Sequence, residues 1–139
     1  LTRVDLLACM DSCRAIGKEF MRRSGGTIIT VGWDQATTGM EGDSGQLFGA
    51  IKGGVMAFTK ALAVDLAPKV RVNGIAPGWV RTAWGESAPL AWHERVLSET
   101  LRKRWGAPKD IAACARFLCG PGADWITGQI IRVNGGAVR

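Results

Sequence analysis

Val70-Arg71-Val72-Asn73-Gly74-Ile75 runs directly into Ala76-Pro77-Gly78. The β-branched residues Val70, Val72 and Ile75 suit a short strand, and the proline–glycine pair stops it. Immediately upstream, a long apolar-periodic segment from about Gln46 to Leu66, ended by Pro68, predicts a helix. Before that helix, Thr27-Ile28-Ile29-Thr30-Val31 is short and β-branched throughout, the pattern of a strand buried on both faces. Strand, helix and strand in that order predict a parallel pair joined by a right-handed crossover.

Working outward from this unit, residues from about Arg3 to Arg23 place Leu6, Leu7, Met10, Cys13, Ile16, Gly17, Phe20 and Met21 at helical intervals, and Ser24-Gly25-Gly26 ends them. Gly32 to Gly45 is a polar, glycine-containing loop, and Asp43 and Ser44 are placed to cap the following helix. Downstream, a region carrying Trp79, Trp84, Trp92 and Trp105 holds one predicted helix from about Leu90 to Arg104. Gly106-Ala107-Pro108 opens a further helix to about Leu118, with proline in its first turn. Gln129-Ile130-Ile131-Arg132-Val133 is the third predicted strand, followed by Asn134-Gly135-Gly136. The expectation is a single α/β unit over residues 1–139, a Rossmann-like parallel sheet with flanking helices. Ligands bind such sheets beyond the carboxyl ends of the strands, here Gly32-Trp33, Pro77-Gly78 and Asn134-Gly135.

Composition narrows the function classes. The chain is 47% hydrophobic and 22% charged, a globular balance and not a disordered one. No run of eighteen consecutive apolar residues occurs, so no membrane span is expected. The net charge of +6 comes from scattered basic residues with one cluster, Arg102-Lys103-Arg104. That cluster reads as a solvated helix end, with a phosphate or nucleic-acid patch as the alternative; neither nucleic acid nor membrane is expected as a partner. Cys9 and Cys13, and Cys114 and Cys119, have no C-x-x-C spacing, and the lone His93 is distant from both pairs. Buried, reduced thiols in a cytoplasmic protein are expected, with no metal site. One histidine also gives no positive sign of a Ser-His-Asp hydrolase.

Phe48-Gly-Ala-Ile-Lys52, followed by the small and apolar run Gly53 to Phe58, resembles the Tyr-x-x-x-Lys motif of short-chain dehydrogenases/reductases, with phenylalanine in the tyrosine slot. Other stretches are similar to the same family in order and spacing. Gly26 to Gly32 resembles the strand leading to its catalytic serine, and Arg71 to Thr82 its RVN-x-x-x-PG-x-x-x-T stretch. Trp105 to Ala112 resembles a late helix start, and Ile126 to Gly136 the last strand. The resemblance covers the C-terminal half of the family's fold. The glycine-rich dinucleotide loop of its first half has no counterpart here, and the chain is read as an excerpt of a longer protein.

In the family, tyrosine exchanges a proton with the substrate oxygen, and lysine lowers the tyrosine pKa and holds the nicotinamide ribose. Serine orients the carbonyl, and an asparagine supports a water relay. The resemblance puts Phe48 in the tyrosine slot, Trp33 in the serine slot, Asp5 in the asparagine slot, and keeps Lys52. Lys52, Pro77, Gly78, Val80 and Thr82 are the implied contacts for an NAD or NADP cofactor. A solvated helix lysine and a tight turn after a strand are the plainer readings of the same residues. Asp34, Thr37, Thr38, Asp43 and Ser44 lie in the loop before Phe48, yet none offers a phenol that Lys52 could activate. The four tryptophans from Trp79 to Trp105 fall where the family has its substrate lid; they would line a pocket or bury against the sheet.

Gly49, Gly53 and Ala57 put small residues on one helical face, implying close approach either to the chain's own sheet or to a partner. The resemblance implies a homo-oligomer through helices of about 3–23 and 46–66, or docking of an upstream half onto the exposed edge of the Thr27–Val31 strand. Three functions stay open: a catalytically impaired, cofactor-binding or scaffolding member; an active NAD(P)-dependent carbonyl or alcohol oxidoreductase with an unconventional proton donor; and an oligomerisation module.

Overall fold

The computed structural model describes residues 1–137. A π-helical lead-in, Thr2–Leu7, continues as α1 (Ala8–Arg22), followed by β1 (Gly26–Val31) and a 3-10 turn at Asp34–Ala36. Next come α2 (Asp43–Leu66), β2 (Val70–Pro77), α3 (Ala83–Ser87), α4 (Leu90–Glu99) and α5 (Pro108–Cys119). A 3-10 turn at Pro121–Ala123 leads to β3 (Ile130–Val133). The strands form one parallel sheet in the order β1-β2-β3. Gly26 pairs with Val70, and Gly74 with Ile130. The Rossmann-like layering expected from sequence is therefore present.

Alternation along the strands divides the core. Successive side chains point to opposite faces of a sheet. Ile28, Val70 and Val72 meet Leu62, Ala63 and Leu66 of α2 on one face, with Phe20 and Met21 of α1 packed alongside. Ile29, Ile75 and Ile131 meet Ile111, Cys114 and Leu118 of α5 on the other. β2 is the middle strand, and Val70, Val72, Ile75 and Ala76 are each at most 1% exposed. Burying each valine or isoleucine contributes roughly 1.5–3 kcal/mol. α2 has the length and composition of a membrane span, yet Val55, Met56, Leu62 and Leu66 along it are buried in the fold.

Two polar side chains inside the sheet core, Thr59 and Asn73, are paired. Thr59 Oγ1 donates to Val55 O at 2.7 Å, so the Thr30 hydroxyl donates to Thr59 Oγ1 at 2.6 Å. The Asn73 amide is fully buried; its Nδ2 donates to Ile126 O at 2.8 Å and its Oδ1 accepts the Gln129 N–H at 3.0 Å. With the Val72 N–H donating to Thr127 Oγ1 at 3.0 Å and the Gly128 N–H to Val72 O at 2.7 Å, these two bonds fix the segment entering β3.

Several local expectations are corrected. Asp43 and Ser44 do not cap α2: they lie inside it, and the N-cap is Gly42 at φ +86°, with no side-chain bond. A backbone there that only glycine adopts readily displaces the side-chain cap. The helix predicted to Arg104 stops at Glu99, because Thr100 Oγ1 donates to Val96 O at 2.8 Å and the Arg102 N–H turns to Gly135 O at 3.0 Å. Arg102 to Arg104 thus follow the helix as an exposed turn. α3 was not expected. The glycine seam on α2 does not pack on the sheet: a Cβ at Gly53 would meet nothing within 4 Å, whereas one at Gly54 would meet Leu6 Cδ1 at 3.2 Å. The thiols are free but not buried, with Cys119 exposed and the other three half-buried.

Replacing Asn73 by alanine takes the acceptor from the Gln129 N–H and leaves Ile126 O with the Arg71 guanidinium alone, at 3.3 Å. The expected loss is about 1–3 kcal/mol. Asn73→Asp should be similarly costly, since it removes the donor and buries a carboxylate. Urea denaturation midpoints check this; a loss under about 1 kcal/mol for Asn73→Ala would show that β3 is held elsewhere.

Candidate functional site

The carboxyl ends of the three strands are drawn together by backbone and side-chain bonds. The Gly32 N–H donates to Ile75 O at 2.8 Å, and the Gly78 N–H to Val133 O at 3.2 Å. Asn134 Nδ2 donates to Asp34 Oδ2 at 3.1 Å, and Arg132 Nη2 to Thr37 Oγ1 at 2.6 Å. Gly78 is required by this closeness, since a Cβ there would come within 2.6 Å of Asn134 Cβ. Beyond these ends lies an open cleft of about 790 Å³.

The cleft collects Trp33, Phe48, Lys52, Pro77, Gly78, Val80 and Thr82, all of them singled out in the sequence. Phe48 and Lys52 share one face of α2, with Lys52 Nζ 5.4 Å from the Phe48 ring centre. Trp33 follows β1 and meets Phe48 edge to face, with ring centres 5.0 Å apart at 64°. Asp5 reaches the same point from the π-helical lead-in: its Oδ1 lies 3.4 Å from Lys52 Nζ. Lys52 Nζ also donates to Val31 O at 3.3 Å. An ammonium has three N–H donors, so one remains. Lys52 is the one ionisable side chain among the described residues lining the cleft.

Residues the sequence reading did not place in the site complete its wall. Pro108, Ile111 and Ala112 come from the first turns of α5. The α5 start is held by the Asp110 carboxylate, which accepts the Ala107 N–H at 2.7 Å. The motif at the helix start was visible in sequence, but its distance along the chain hid its nearness to Phe48. Of the tryptophans, Trp79 and Trp84 line the cleft. They stack with ring centres 6.5 Å apart at 23°, and Trp92 and Trp105 pack against both. Trp79 Nε1 donates to Glu99 Oε2 at 2.9 Å, so this group packs on itself and on α4.

The alternative proton donors of the loop point elsewhere. Thr37 binds Arg132, and Ser44 lines a separate apolar pocket of about 320 Å³ beside Leu47 and Phe48. Asp34 is buried beneath Gly78; its Oδ1 and Gln35 Oε1 meet no protein donor among the described residues. Burial pushes the Asp34 carboxyl above its ordinary value, against the hydrogen bond from Asn134. Chemically the cleft offers apolar rings, one ammonium offset by a carboxylate, and an exposed threonine hydroxyl. It offers no phenol.

Residues 1–138 match the family model described as Enoyl-(Acyl carrier protein) reductase. The chain is 36% identical over 125 residues to 3-oxoacyl-(acyl-carrier-protein) reductase FabG of Vibrio harveyi, covering 88% of this chain and 50% of that protein. It superposes with a TM-score of 0.88 on a 7 alpha-hydroxysteroid dehydrogenase complexed with NADH and 7-oxo glycochenodeoxycholic acid, at 32% identity over 96% of this chain and 52% of that one. A gluconate 5-dehydrogenase from Burkholderia cenocepacia, in complex with NADP and tartrate, superposes at 0.89 with 27% identity, over 98% of this chain and 54% of that one. The chain spans about half the length of the curated relatives it matches.

The Asp34 carboxyl gives the site a pH signature. Its folded value exceeds the unfolded value near 3.9, so the native state holds the proton where the unfolded chain has released it, and stability falls as pH rises through that window. Asp34→Asn should flatten this decline. Denaturation midpoints from pH 4 to pH 7 measure it; equal slopes for the two proteins would contradict the assignment.

Proposed function

The chain belongs to the short-chain dehydrogenase/reductase family, and from that premise we propose that it is a nicotinamide-cofactor-binding member whose catalytic set no longer supports turnover. One observation carries the reading. Phe48 stands one helical turn from Lys52 at the cleft wall, where the family's motif requires a phenol, and a phenyl ring has no proton to give. Loss of a positioned proton donor costs on the order of 10² to 10⁴ in rate. Trp33 compounds the loss, because its indole fills the slot of a small hydroxyl and packs on Phe48.

The residues present fit the nicotinamide end of such a cofactor. The walls are apolar, and Lys52 has one N–H beyond those bound to Asp5 and Val31 O, suited to a sugar hydroxyl. The cofactor, when bound, would supply a hydride; the chain's own residues bind and orient it. The relatives supporting this choice hold NADH in one structure and NADP in another, so either form remains a candidate.

Association through the first two helices accompanies this reading. Val4 and Leu7 before α1, Ile16 on it, and Leu47 and Val64 on α2 are exposed apolar residues. A second copy and a preceding half of a longer protein are the two occupants considered; sedimentation at micromolar concentration separates them.

With the full chain, calorimetry should detect NADH or NADPH binding that Lys52→Ala weakens. Carbonyl reduction should be absent, and Phe48→Tyr alone should not restore it while Trp33 remains. Steady turnover by the unaltered protein, abolished by Lys52→Ala, would overturn the impaired assignment; turnover by Phe48→Tyr would show that Trp33 is no obstacle. Absence of cofactor binding would favour a purely structural module.

A further inference from the structure

We propose that the cleft selects a flat, uncharged ring molecule, with the Trp33 indole as the specificity-determining wall. This rests on the reading of the cleft as a ligand-binding site with impaired chemistry, and it names the class of ligand that site takes.

The first observation is the supply of aromatic surface. Trp33 and Phe48 bring ring contact from the end of β1 and from α2. Trp79 and Trp84 bring a near-parallel pair from the segment after β2. Trp84 is 52% exposed and Trp33 is half-buried, so both present ring surface to an incoming molecule. Aromatic faces and edges favour another flat ring beyond what buried area alone provides, because their quadrupoles align in stacked or edge-to-face contact. A saturated ring of the same skeleton buries similar area but lacks that term.

Charge is the second observation. Lys52 is held 3.4 Å from the Asp5 carboxylate, and the two side chains are 13% and 30% exposed. The carboxylate offsets the ammonium, so an anionic ligand finds little net attraction and must still shed its hydration. A neutral ring incurs no such cost.

The third is the fixing of the indole. A Cβ at Gly49 would lie 3.7 Å from Trp33 Cζ3, so the ring sits beside the Gly49 turn of α2 with room for about a methyl group between them. Trp33 and Phe48 also line the neighbouring apolar pocket of about 320 Å³. The two rings therefore form a partition between two cavities, and the face of Trp33 toward the larger one is what a ligand meets. Its removal changes the shape of the cleft without touching its charge.

The test titrates the full chain by calorimetry with three probes of one skeleton: 2-naphthol, flat and neutral at pH 7; decahydro-2-naphthol, its saturated counterpart; and 2-naphthoate, flat and anionic. NADH is titrated in parallel. The expected result is 2-naphthol binding about tenfold more tightly than either other probe. Trp33→Leu, which stays apolar but loses the flat face, should abolish the preference over decahydro-2-naphthol. Trp84→Leu supplies a second variant should Trp33→Leu fail to fold, and it too should reduce the preference. Trp125→Ala, at a side chain 98% exposed and outside the cleft lining, should leave it intact. Equal affinity for the flat and saturated probes, or a preference that survives in folded Trp33→Leu, overturns the proposal; if Trp33→Leu does not fold, a preference untouched by Trp84→Leu overturns it. Tightest binding of 2-naphthoate overturns it too, by showing that Asp5 does not offset Lys52. NADH binding without ring preference sinks this inference alone; carbonyl turnover with the preference intact sinks the impaired reading alone.

Discussion

The buried amide of Asn73 is the joint on which the rest of the molecule depends. Both ends of it are used across more than fifty positions of chain, to Ile126 O and the Gln129 N–H. It holds the entrance of β3 against β2 before the ladder itself begins at Gly74 and Ile130. Gly74 permits the approach, since a Cβ there would meet Ile130 Cδ1 at 2.6 Å. Everything on the far side of β3 follows from that docking: Arg132 reaches Thr37, Asn134 reaches Asp34, and Val133 O receives the Gly78 N–H. Those three bonds hold the strand ends together beside the cleft, which Gly78 itself lines.

In the cleft, the balance between Lys52 and Asp5 governs the chemistry. A lysine pointing into an apolar cleft must keep a counter-charge or lose much of its hydration energy unrecovered. Asp5 supplies it, 3.4 Å from the ammonium. The pair leaves Lys52 with a carboxylate partner in a cleft that carries no phenol. Phe48 then needs only to fill space, and Trp33 fills what remains. These residues are consistent with one another physically: an ammonium offset by a carboxylate beside two rings is a sound lining for a binding cleft.

The sheet was legible because its strands are short β-branched runs stopped by glycine or proline, and α2 and α5 because their apolar spacing is regular and Pro68 and Pro108 mark a boundary of each. Trp33, Phe48, Lys52 and Asp5 were singled out only through motif order, and the structure brings the four side chains together. What escaped depends on partners far along the chain. Asp34 reads as one of several loop acids until Asn134 is known to sit beside it. α4 stops early because Gly135 takes the Arg102 N–H, which no local pattern announces. The tryptophans pack on one another through contacts that hydrophobicity alone does not distinguish from burial on a sheet.

The register of the sheet has a kinetic consequence. Gly26 meets Val70 and Gly74 meets Ile130, so neither strand pair can form as a local hairpin. Each closes only after a whole helical crossover has been gathered in, and folding dominated by such distant contacts is slow. The cleft draws on β1, α2, the segment after β2 and α5 at once, and none of these walls exists until both crossovers are complete. A molecule that occupies it binds the finished fold and nothing less, so its binding stabilises the whole domain by mass action, not one loop of it. Occupancy should therefore be read most directly as slower global unfolding and slower exchange of the β2 amides.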